Sequence, residues 1–517
     1  MTVLPTRHRW APAGRTLSVS RRSKFLAAIG AALSVAAGYY LAVQRTKGRQ
    51  PDAPPKGPVR APTRRERNVE VARLATTTGS SFAVHRARRV FASAGKRHEL
   101  DAAFELQTAE QVADLLGNMK GALMKLGQMA SYLDQGLPEP IRQALAQLQQ
   151  DAPPMTGELA AEVVERELGG PPDEVFEQWD PKPIAAASIG QVHRAITREG
   201  TAVAVKVQYP DVDTAIRADL DNAGMLLAAT GFLFPGLDAA AVAEEFRARV
   251  LEELDYEIEA TNQRLFVEYY RDHPFIAIPA VVDEYSTARV LTTELVEGAR
   301  FDELATWDQA ERDLAAEAVY RFVFGSLWRL HAFNGDPHPG NYLFRPGGRV
   351  TFLDFGLVKH FETADLDHLA AMLQAIVIDK DIPAFRRAVE AAGFMRDTRP
   401  FTDEQVVGYM GHFYEFIRED RPRTITPEWS SESVRRFFDV NGEHGEMIRA
   451  ANVPRAFVVL QRINLGLFAV LGELRATANW RAISSEIWPW IQRPPSTPLG
   501  KAKAEWLATK NPDTGVR

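Results

Sequence analysis

The stretch FNGDPHPGNYLF, residues 333–344, places an aspartate, a histidine, two prolines, a glycine and an asparagine between apolar flanks. Each proline fixes its own φ angle, so the backbone here has little freedom. Asp336 and Asn341 offer a carboxylate and an amide oxygen, which are the kinds of oxygen that hard divalent cations bind. The stretch therefore predicts a stiff loop that holds metal-ligating side chains.

A second acidic position follows a predicted strand. Asp354 opens the tripeptide DFG, thirteen residues after Asn341 and directly after the apolar run VTFL. D-x-x-x-x-N followed by DFG is the spacing of a kinase catalytic loop and its metal-binding segment. In such sites one aspartate orients the proton of the nucleophile, and the asparagine and second aspartate hold Mg²⁺. We therefore predict a phosphoryl-transfer site with Asp336 as the catalytic residue and Asn341 and Asp354 as metal ligands.

A kinase-like site also needs a lysine on a strand to bind the nucleotide phosphates. The alternating run TAVAVKVQY, residues 201–209, predicts such a strand and contains Lys206. A buried lysine is costly unless an acid pairs with it. In the helical stretch EELDYEIEA, residues 252–260, Asp255 and Glu259 share one face. We predict that Glu259 pairs with Lys206. The alternatives are an edge-strand charge for Lys206 and a solvated acidic face for any one of these acids.

An alanine-rich segment, PIAAASIGQVHRA at residues 183–195, stands where a protein kinase carries its glycine-rich loop. Alanines still allow close backbone approach, and Gly190 allows an unusual dihedral angle, so the backbone amides here are predicted to cradle phosphates. Glu294 and Val296, at the end of the β-type run 288–298, complete the prediction. The predicted nucleotide-binding residues are Ala185, Ala186, Ala187, Ser188, Gly190, Lys206, Glu253, Asp255, Glu259, Glu294 and Val296.

Two features disfavour a Ser/Thr protein kinase. No A-P-E tripeptide follows the DFG, and a predicted helix over 362–378 leaves little room for a segment that docks a peptide. Upstream, the helical stretch 122–133 contains K-x-G-Q, whose Lys125 and Gln128 lie three residues apart on one helical face. Taken alone, these two residues would be an ordinary exposed pair.

Six motifs, K-x-G-Q, AAASIGQVH, VAVKVQYP, E-x-D, DPHPGN and DFG, occur in this order over roughly residues 100–390. Together they resemble the UbiB family of atypical kinase-like proteins, which support the metabolism of ubiquinone and related isoprenoid lipids. The resemblance implies that the K-x-G-Q helix covers the place where a peptide would bind, so that Lys125 and Gln128 act in the active site, with Lys125 near Glu253. Asn334 stands where the family carries a histidine, which puts the local loop packing in doubt.

The N-terminal residues predict a membrane anchor. Residues 1–67 carry fourteen Lys and Arg against two acids, a balance of +12. Because the whole chain has a net charge of −6, the remaining residues carry a net charge of −18. Residues 25–43 form a stretch of nineteen residues without a charge, flanked by basic residues on both sides. That length just spans a hydrocarbon core of about 30 Å. A signal peptide, a transit peptide and a buried core helix remain alternatives. The chain has no cysteine, which excludes disulfides and thiolate metal sites.

The fold class predicted from these features is α+β, a bilobal protein-kinase-like fold with a small β-containing N-lobe and a helical C-lobe. A helical N-terminal extension carrying K-x-G-Q and an N-terminal transmembrane helix precede it. The predicted segments are a basic tail (1–24), a transmembrane helix (25–43), a Pro-rich basic linker (44–67), the helical extension (68–171), the N-lobe (172–298), the helical C-lobe (299–490) and a flexible tail (491–517).

The resemblance implies a membrane-anchored atypical kinase or ATPase that binds ATP (or ADP) with Mg²⁺ and supports quinone or other isoprenoid lipid biosynthesis. Its implied partners are membrane lipid, isoprenoid-quinone precursors and lipid-biosynthesis enzymes, with no nucleic acid. We expect the kinase-like region on the ATP-containing, cytoplasmic side of the membrane, or in mitochondria if the source is eukaryotic. A nucleotide-binding pseudokinase scaffold and a small-molecule kinase of the aminoglycoside or choline type remain alternative functions.

Overall fold

The structure is a computed structural model that describes residues 155–187, 189–210, 212–213, 251–252, 254–335, 337–438, 442–452 and 454–510. All of these residues belong to one compact unit. Several predicted features lie outside the described residues: the transmembrane helix 25–43, the linker 44–67, Lys125, Gln128, Ser188, Glu253 and Asp336.

The described part of the chain has a strand-rich first part, which is followed by a helix-rich second part. The strands are β1 Gln178–Trp179, β2 Ala185–Ala187, β3 Gly190–Ile196, β4 Ala202–Gln208, β5 Ile276–Ala277, β6 Val290–Glu294, β7 Ala332–Asn334, β8 Tyr342–Arg345, β9 Arg349–Phe352, β10 Val358–His360, β11 Arg423–Thr424 and β12 Thr477–Ala478. The α-helices are α1 Gly157–Leu168, α2 Pro172–Val175, α3 Tyr256–Tyr269, α4 Phe301–Leu304, α5 Gln309–Leu330, α6 Thr363–Leu373, α7 Ile382–Ala391, α8 Asp403–Met410, α9 Pro427–Phe438, α10 Gly445–Ala450, α11 Arg455–Glu473, α12 Trp480–Ile487 and α13 Pro498–Lys510. Short 3₁₀ turns cover Asp283–Tyr285, Pro339–Asn341 and His412–Ile417, and a π-helix, Gln374–Asp379, continues α6.

The small lobe is an antiparallel sheet in the order β1-β3-β4-β6, with β2 paired to β3. Strand β4 forms at the predicted run because its valines alternate with polar or small residues. Val203, Val205 and Val207 are fully buried on one face, where they pack against helix α1 and Phe176. This alternation leaves Lys206 on the opposite face, which is turned toward helix α3.

The large lobe is built around helix α5, which is buried along most of the span from Ala315 to Trp328. A three-stranded sheet in the order β5-β9-β8 and the pair β7–β10 lie against it. Phe322 of α5 stacks on Phe352 of β9, with ring centroids 3.6 Å apart. This packing places the loop after β9, which begins at Leu353, on a rigid base.

One predicted segment is wrong over part of its length. The sequence predicts a flexible tail over residues 491–517, but Pro498–Lys510 form helix α13. Leu499 and Trp506 of this helix are buried, and Trp506 packs against Tyr269 and Tyr270 at the C-terminal end of α3, which lies far away in the chain. Within the described residues, no helix has both the length and the apolar character that a bilayer crossing requires.

Candidate active site

Lys206 is held by two acids that come from distant parts of the chain. Its Nζ donates to Glu259 Oε1 at 2.7 Å and Oε2 at 2.8 Å, and to Asp354 Oδ2 at 3.4 Å. The side chains of Lys206 and Glu259 are only 17% and 5% exposed. The ion pair predicted between Lys206 and Glu259 is therefore confirmed, and the structure adds Asp354 as a second partner.

The electrostatics of this cluster keep the lysine charged. Burial by itself lowers the pKa of Lys206, but the carboxylates of Asp354 and Glu259 outweigh burial and hold that pKa well above its usual value. A Cβ atom at Gly356 would lie 3.3 Å from an oxygen of each carboxylate, so these two oxygens are at most 6.6 Å apart. Lys206, Glu259 and Asp354 together bring one positive and two negative charges to this place, which suits a site where a metal cation and phosphates meet.

The backbone around Asp354 is fixed from three sides. Its Oδ1 accepts a hydrogen bond from the Gly356 N–H at 2.9 Å, and its carbonyl accepts from Asn334 Nδ2 at 2.8 Å. The neighbouring Phe355 is fully buried, and its carbonyl accepts from Asn262 Nδ2 at 3.2 Å. Asn334 therefore contributes to the loop packing by anchoring the DFG segment, although it replaces the family's histidine.

Asn341 ends the 3₁₀ turn Pro339–Asn341 and precedes strand β8. Its N–H donates to the His338 carbonyl at 2.9 Å, and its own carbonyl accepts from the Leu353 N–H at 3.0 Å. That second bond joins the turn to the residue immediately before Asp354. The predicted metal ligands Asn341 and Asp354 therefore sit on two directly connected segments.

The donor chemistry here fits Mg²⁺, because an amide oxygen and a carboxylate are both hard oxygen ligands. In the part of the chain that the structure describes, no group of three or more His, Asp or Glu side chains is arranged to hold a metal ion. Two protein ligands are nevertheless in keeping with Mg²⁺, which commonly takes one or two carboxylates and completes its shell with water and substrate phosphates.

The alanine-rich segment forms a tight hairpin. Ala187 of β2 pairs with Gly190 of β3, and β3 pairs in turn with β4, so the predicted phosphate-binding alanines lie one strand away from the lysine strand. The predicted reason for Gly190 is wrong, because this glycine is not among the residues with a positive φ angle. A side chain at this position would instead overlap the carbonyl oxygen of Val207. Glycine is needed here for close approach of the two strands.

Tyr256 is a site residue that the sequence did not reveal. Its ring centroid lies 5.0 Å from Lys206 Nζ, and its hydroxyl is 2.9 Å from where a Cβ atom at Gly190 would be. That hydroxyl is buried and has no hydrogen-bond partner among the described residues, and burial raises the pKa of Tyr256. No local sequence signal marks this residue as part of the site.

Two further predicted nucleotide-binding residues, Asp255 and Glu294, make other contacts in the structure, and a third, Val296, is partly buried. Asp255 is the N-cap of α3, and its carboxylate accepts from the Glu257 N–H at 3.0 Å. Glu294 is exposed at the end of β6, and its Oε2 accepts from the Ala280 N–H at 3.0 Å. Val296 is partly buried just beyond the same strand. Their role toward a nucleotide stays a prediction.

Comparison with known proteins agrees with this arrangement. The model of the ABC1 atypical kinase-like domain matches residues 147–388. Among curated relatives, atypical kinase COQ8B, mitochondrial, from Rattus norvegicus is 32% identical over 306 residues, which is 58% of each chain. Atypical kinase coq-8, mitochondrial, from Caenorhabditis elegans is 30% identical over 73% of this chain and 50% of its own. The chain therefore spans only about half the length of these two relatives.

A solved structure covers more. The complex of Rv3197 with erythromycin from Mycobacterium tuberculosis is 31% identical, with a TM-score of 0.56. The match covers 77% of this chain and all of that chain. The lysine–glutamate pair, the DFG segment and the alanine-rich hairpin lie within the range that the domain model matches. The chain belongs to the UbiB family of ABC1 atypical kinase-like proteins.

Proposed function

We propose that this protein is an enzyme that binds ATP or ADP with Mg²⁺ and either hydrolyses ATP or transfers its terminal phosphate to a small or lipid-borne group. The observation that carries the proposal is the buried contact of Lys206 with Glu259 and Asp354. A lysine held in this way is ready to bind nucleotide phosphates. The metabolism it serves is that of ubiquinone or another isoprenoid lipid, as in the UbiB family.

Each residue has a distinct part in this proposal. Lys206 binds the phosphates, and Glu259 holds the lysine at the required place. Asn341 and Asp354 would ligate Mg²⁺, which neutralises charge on the phosphates. Asp336 would orient the proton of the attacking hydroxyl or water. Lys125 and Gln128 are proposed to line the site and to keep peptides out, which favours a small or lipid-borne acceptor.

Membrane association is part of the proposal. Residues 25–43 would anchor the chain, and because the site uses ATP, the kinase-like region would face the compartment that supplies ATP. An acceptor dissolved in the bilayer, such as an isoprenoid-quinone precursor, would then diffuse in the same plane as the enzyme. The curated relatives named above are called mitochondrial, which agrees with a membrane that carries quinones.

The test is ATP hydrolysis by the purified full-length protein, with and without liposomes and isoprenoid-like phenols. Asp336→Asn and Asp354→Asn should abolish turnover, whereas Asp367→Asn, an exposed position on helix α6, should leave it unchanged. Turnover that depends on both aspartates and rises with liposomes or phenol supports the proposal. Tight nucleotide binding without turnover under every condition would point instead to a nucleotide-binding scaffold. Turnover that ignores liposomes and phenols would favour a soluble small-molecule kinase.

A further inference from the structure

Helix α13, near the C-terminal end of the chain, packs on the end of the helix that carries Glu259. Trp506 lies edge-on to Tyr269, with ring centroids 5.8 Å apart, and edge-on to His273 at 4.5 Å. It also lies parallel to the ring of Tyr270 at 6.4 Å. These three partners are the last residue of α3, its C-cap and a residue in the turn that follows.

Polar contacts reinforce the packing. Trp506 Nε1 donates to the Arg271 carbonyl at 3.0 Å. Lys510 Nζ donates to the Glu268 carbonyl at 3.3 Å and to the Tyr269 carbonyl. The last carbonyls of a helix have no partner within the helix, and a cation there also interacts favourably with the helix dipole. Lys510 therefore stabilises the C-terminal end of α3 in two ways.

The other end of α13 is tied to the buried centre of the large lobe. Thr497, just before the helix, donates from Oγ1 to Glu317 Oε1 at 2.5 Å and accepts from Arg321 Nη2 at 3.1 Å. Arg321 lies on α5, is 1% exposed and also donates to Glu486 Oε2 at 2.7 Å. Gly500 fits closely against this network, because a Cβ atom there would come within 2.8 Å of Arg321 Nη2. Helix α13 thus starts from a fixed point.

We propose that helix α13 positions Glu259 for its pair with Lys206, by bridging α5 to the C-terminal end of α3, with Trp506 and Lys510 as positioning residues. Tyr269 lies ten positions after Glu259, so the end of α3 that α13 contacts is about 15 Å from the ion pair along a continuous helix. The inference rests on the proposed function, in which the lysine–glutamate pair must be in place for phosphate binding. It assigns to the C-terminal helix a control over nucleotide affinity from outside the site.

The experiment measures Mg-ADP affinity by calorimetry and amide hydrogen exchange of residues 256–269, both on the full-length protein. Lys510→Gln removes the cation at the end of α3 at an exposed position, so this variant should fold. Trp506→Phe keeps an aromatic ring and removes the indole N–H. Lys501→Gln is the matched control, because this exposed lysine lies nine positions before Lys510 on the same helix, which at about 3.6 residues per turn is the opposite side of the helix.

We expect Lys510→Gln to weaken Mg-ADP binding about two- to fivefold, the size expected of a cation at a helix end, and to speed exchange in α3. Trp506→Phe should also weaken Mg-ADP binding and speed exchange in α3, and Lys501→Gln should change neither. The deciding readout is a double-mutant cycle: in a Glu259→Gln background, Lys510→Gln should cause no further loss of affinity.

Equal losses in both backgrounds would overturn the proposal, since Lys510 would then act by a route other than Glu259. Unchanged affinity beside faster exchange would also overturn it and leave α13 a purely structural helix. If the wild-type protein binds no nucleotide, the proposed function fails. The hydrogen-exchange data still test whether α13 stabilises α3, because unchanged exchange in Lys510→Gln would refute that role.

Discussion

Removing the charge of Lys206 should destabilise the protein more than removing the charge of Glu259. The reason lies in the three-charge cluster, in which one lysine separates two carboxylates. Glu259→Gln leaves Lys206 with Asp354, whose Oδ2 is 3.4 Å away. Lys206→Met removes the lysine that contacts both Glu259 and Asp354, so the repulsion between these two carboxylates is no longer offset by this cation.

The size of the difference follows from the distances in the cluster. Breaking a buried ion pair costs about 3–5 kcal/mol, and we expect Glu259→Gln near the lower end because Asp354 remains. For Lys206→Met the facing oxygens of the two acids are at most 6.6 Å apart. At that separation like charges repel by about 2–3 kcal/mol for an effective dielectric constant of about 20. We therefore expect Lys206→Met to cost about 2 kcal/mol more than Glu259→Gln.

The assay is urea denaturation of the purified full-length protein at neutral pH in EDTA, with Lys182→Met as the control at an exposed position of the same lobe. Added Mg²⁺ should recover part of the loss in Lys206→Met, because a divalent cation between the carboxylates removes their repulsion. It should recover less in Glu259→Gln. Equal destabilisation of the two variants in EDTA, or the same response to Mg²⁺, would refute this balance of charges.

Three further predictions concern buried polar groups. Tyr256→Phe should stabilise the nucleotide-free protein by about 1 kcal/mol in thermal denaturation, because it removes a buried hydroxyl without a partner among the described residues. Tyr270→Phe breaks a 2.8 Å hydrogen bond to a serine hydroxyl and should instead lower the melting temperature. Lys503→Met should raise the melting temperature at neutral pH, because burial and nearby arginines lower the pKa of this lysine to about 7 and folding must desolvate its charge. This gain in melting temperature should shrink toward pH about 10, because there the lysine of the unfolded chain also loses its proton. The free energy of unfolding should fall as the pH drops below about 6.5. Burial lowers the pKa of His273 to about 3 and that of His412 to about 4, so only the unfolded chain takes up these protons. His412→Phe should make the free energy of unfolding less dependent on pH, as measured by denaturation from neutral to acidic pH.

The parts of the site that the sequence predicts correctly depend on short-range patterns. The alternation of TAVAVKVQY indicates a strand with Lys206 on the face opposite the buried valines, and this is where β4 lies. The pairing with Glu259 follows from chemistry, because a buried lysine needs an acid and the nearest helix offers one on a suitable face. Neither inference requires knowledge of how the two lobes pack.

The parts that the sequence does not predict depend on contacts between distant segments. Gly190 is required by the carbonyl of Val207 on the neighbouring strand, which no local pattern shows, so the local sequence suggests only a dihedral role. Tyr256 does not stand out in the sequence, because a tyrosine in a helical pattern normally belongs to the core. The tail after Pro494, which includes helix α13, is rich in polar residues and contains three further prolines, so the sequence indicates a flexible segment. The buried face of α13 forms only where α5 packs against its first turn and the aromatic residues of α3 pack against Trp506.

Helix α3 connects these observations. Its first turn carries Tyr256 and Glu259, which contact Lys206 of the small lobe. Its middle holds the DFG segment through Asn262 and through Phe266, whose ring lies 4.9 Å from that of Phe355.

The last turn of α3 is held by α13. Contacts hold α3 at its first turn, its middle and its last turn, so the helix can shift only if all three sets of contacts change together. The position of Glu259 therefore depends on both lobes and on the C-terminal helix. This is why a substitution at Lys510, about 15 Å from the ion pair along the helix, is expected to be felt at Lys206, whereas one at Lys501 on the same short helix is not.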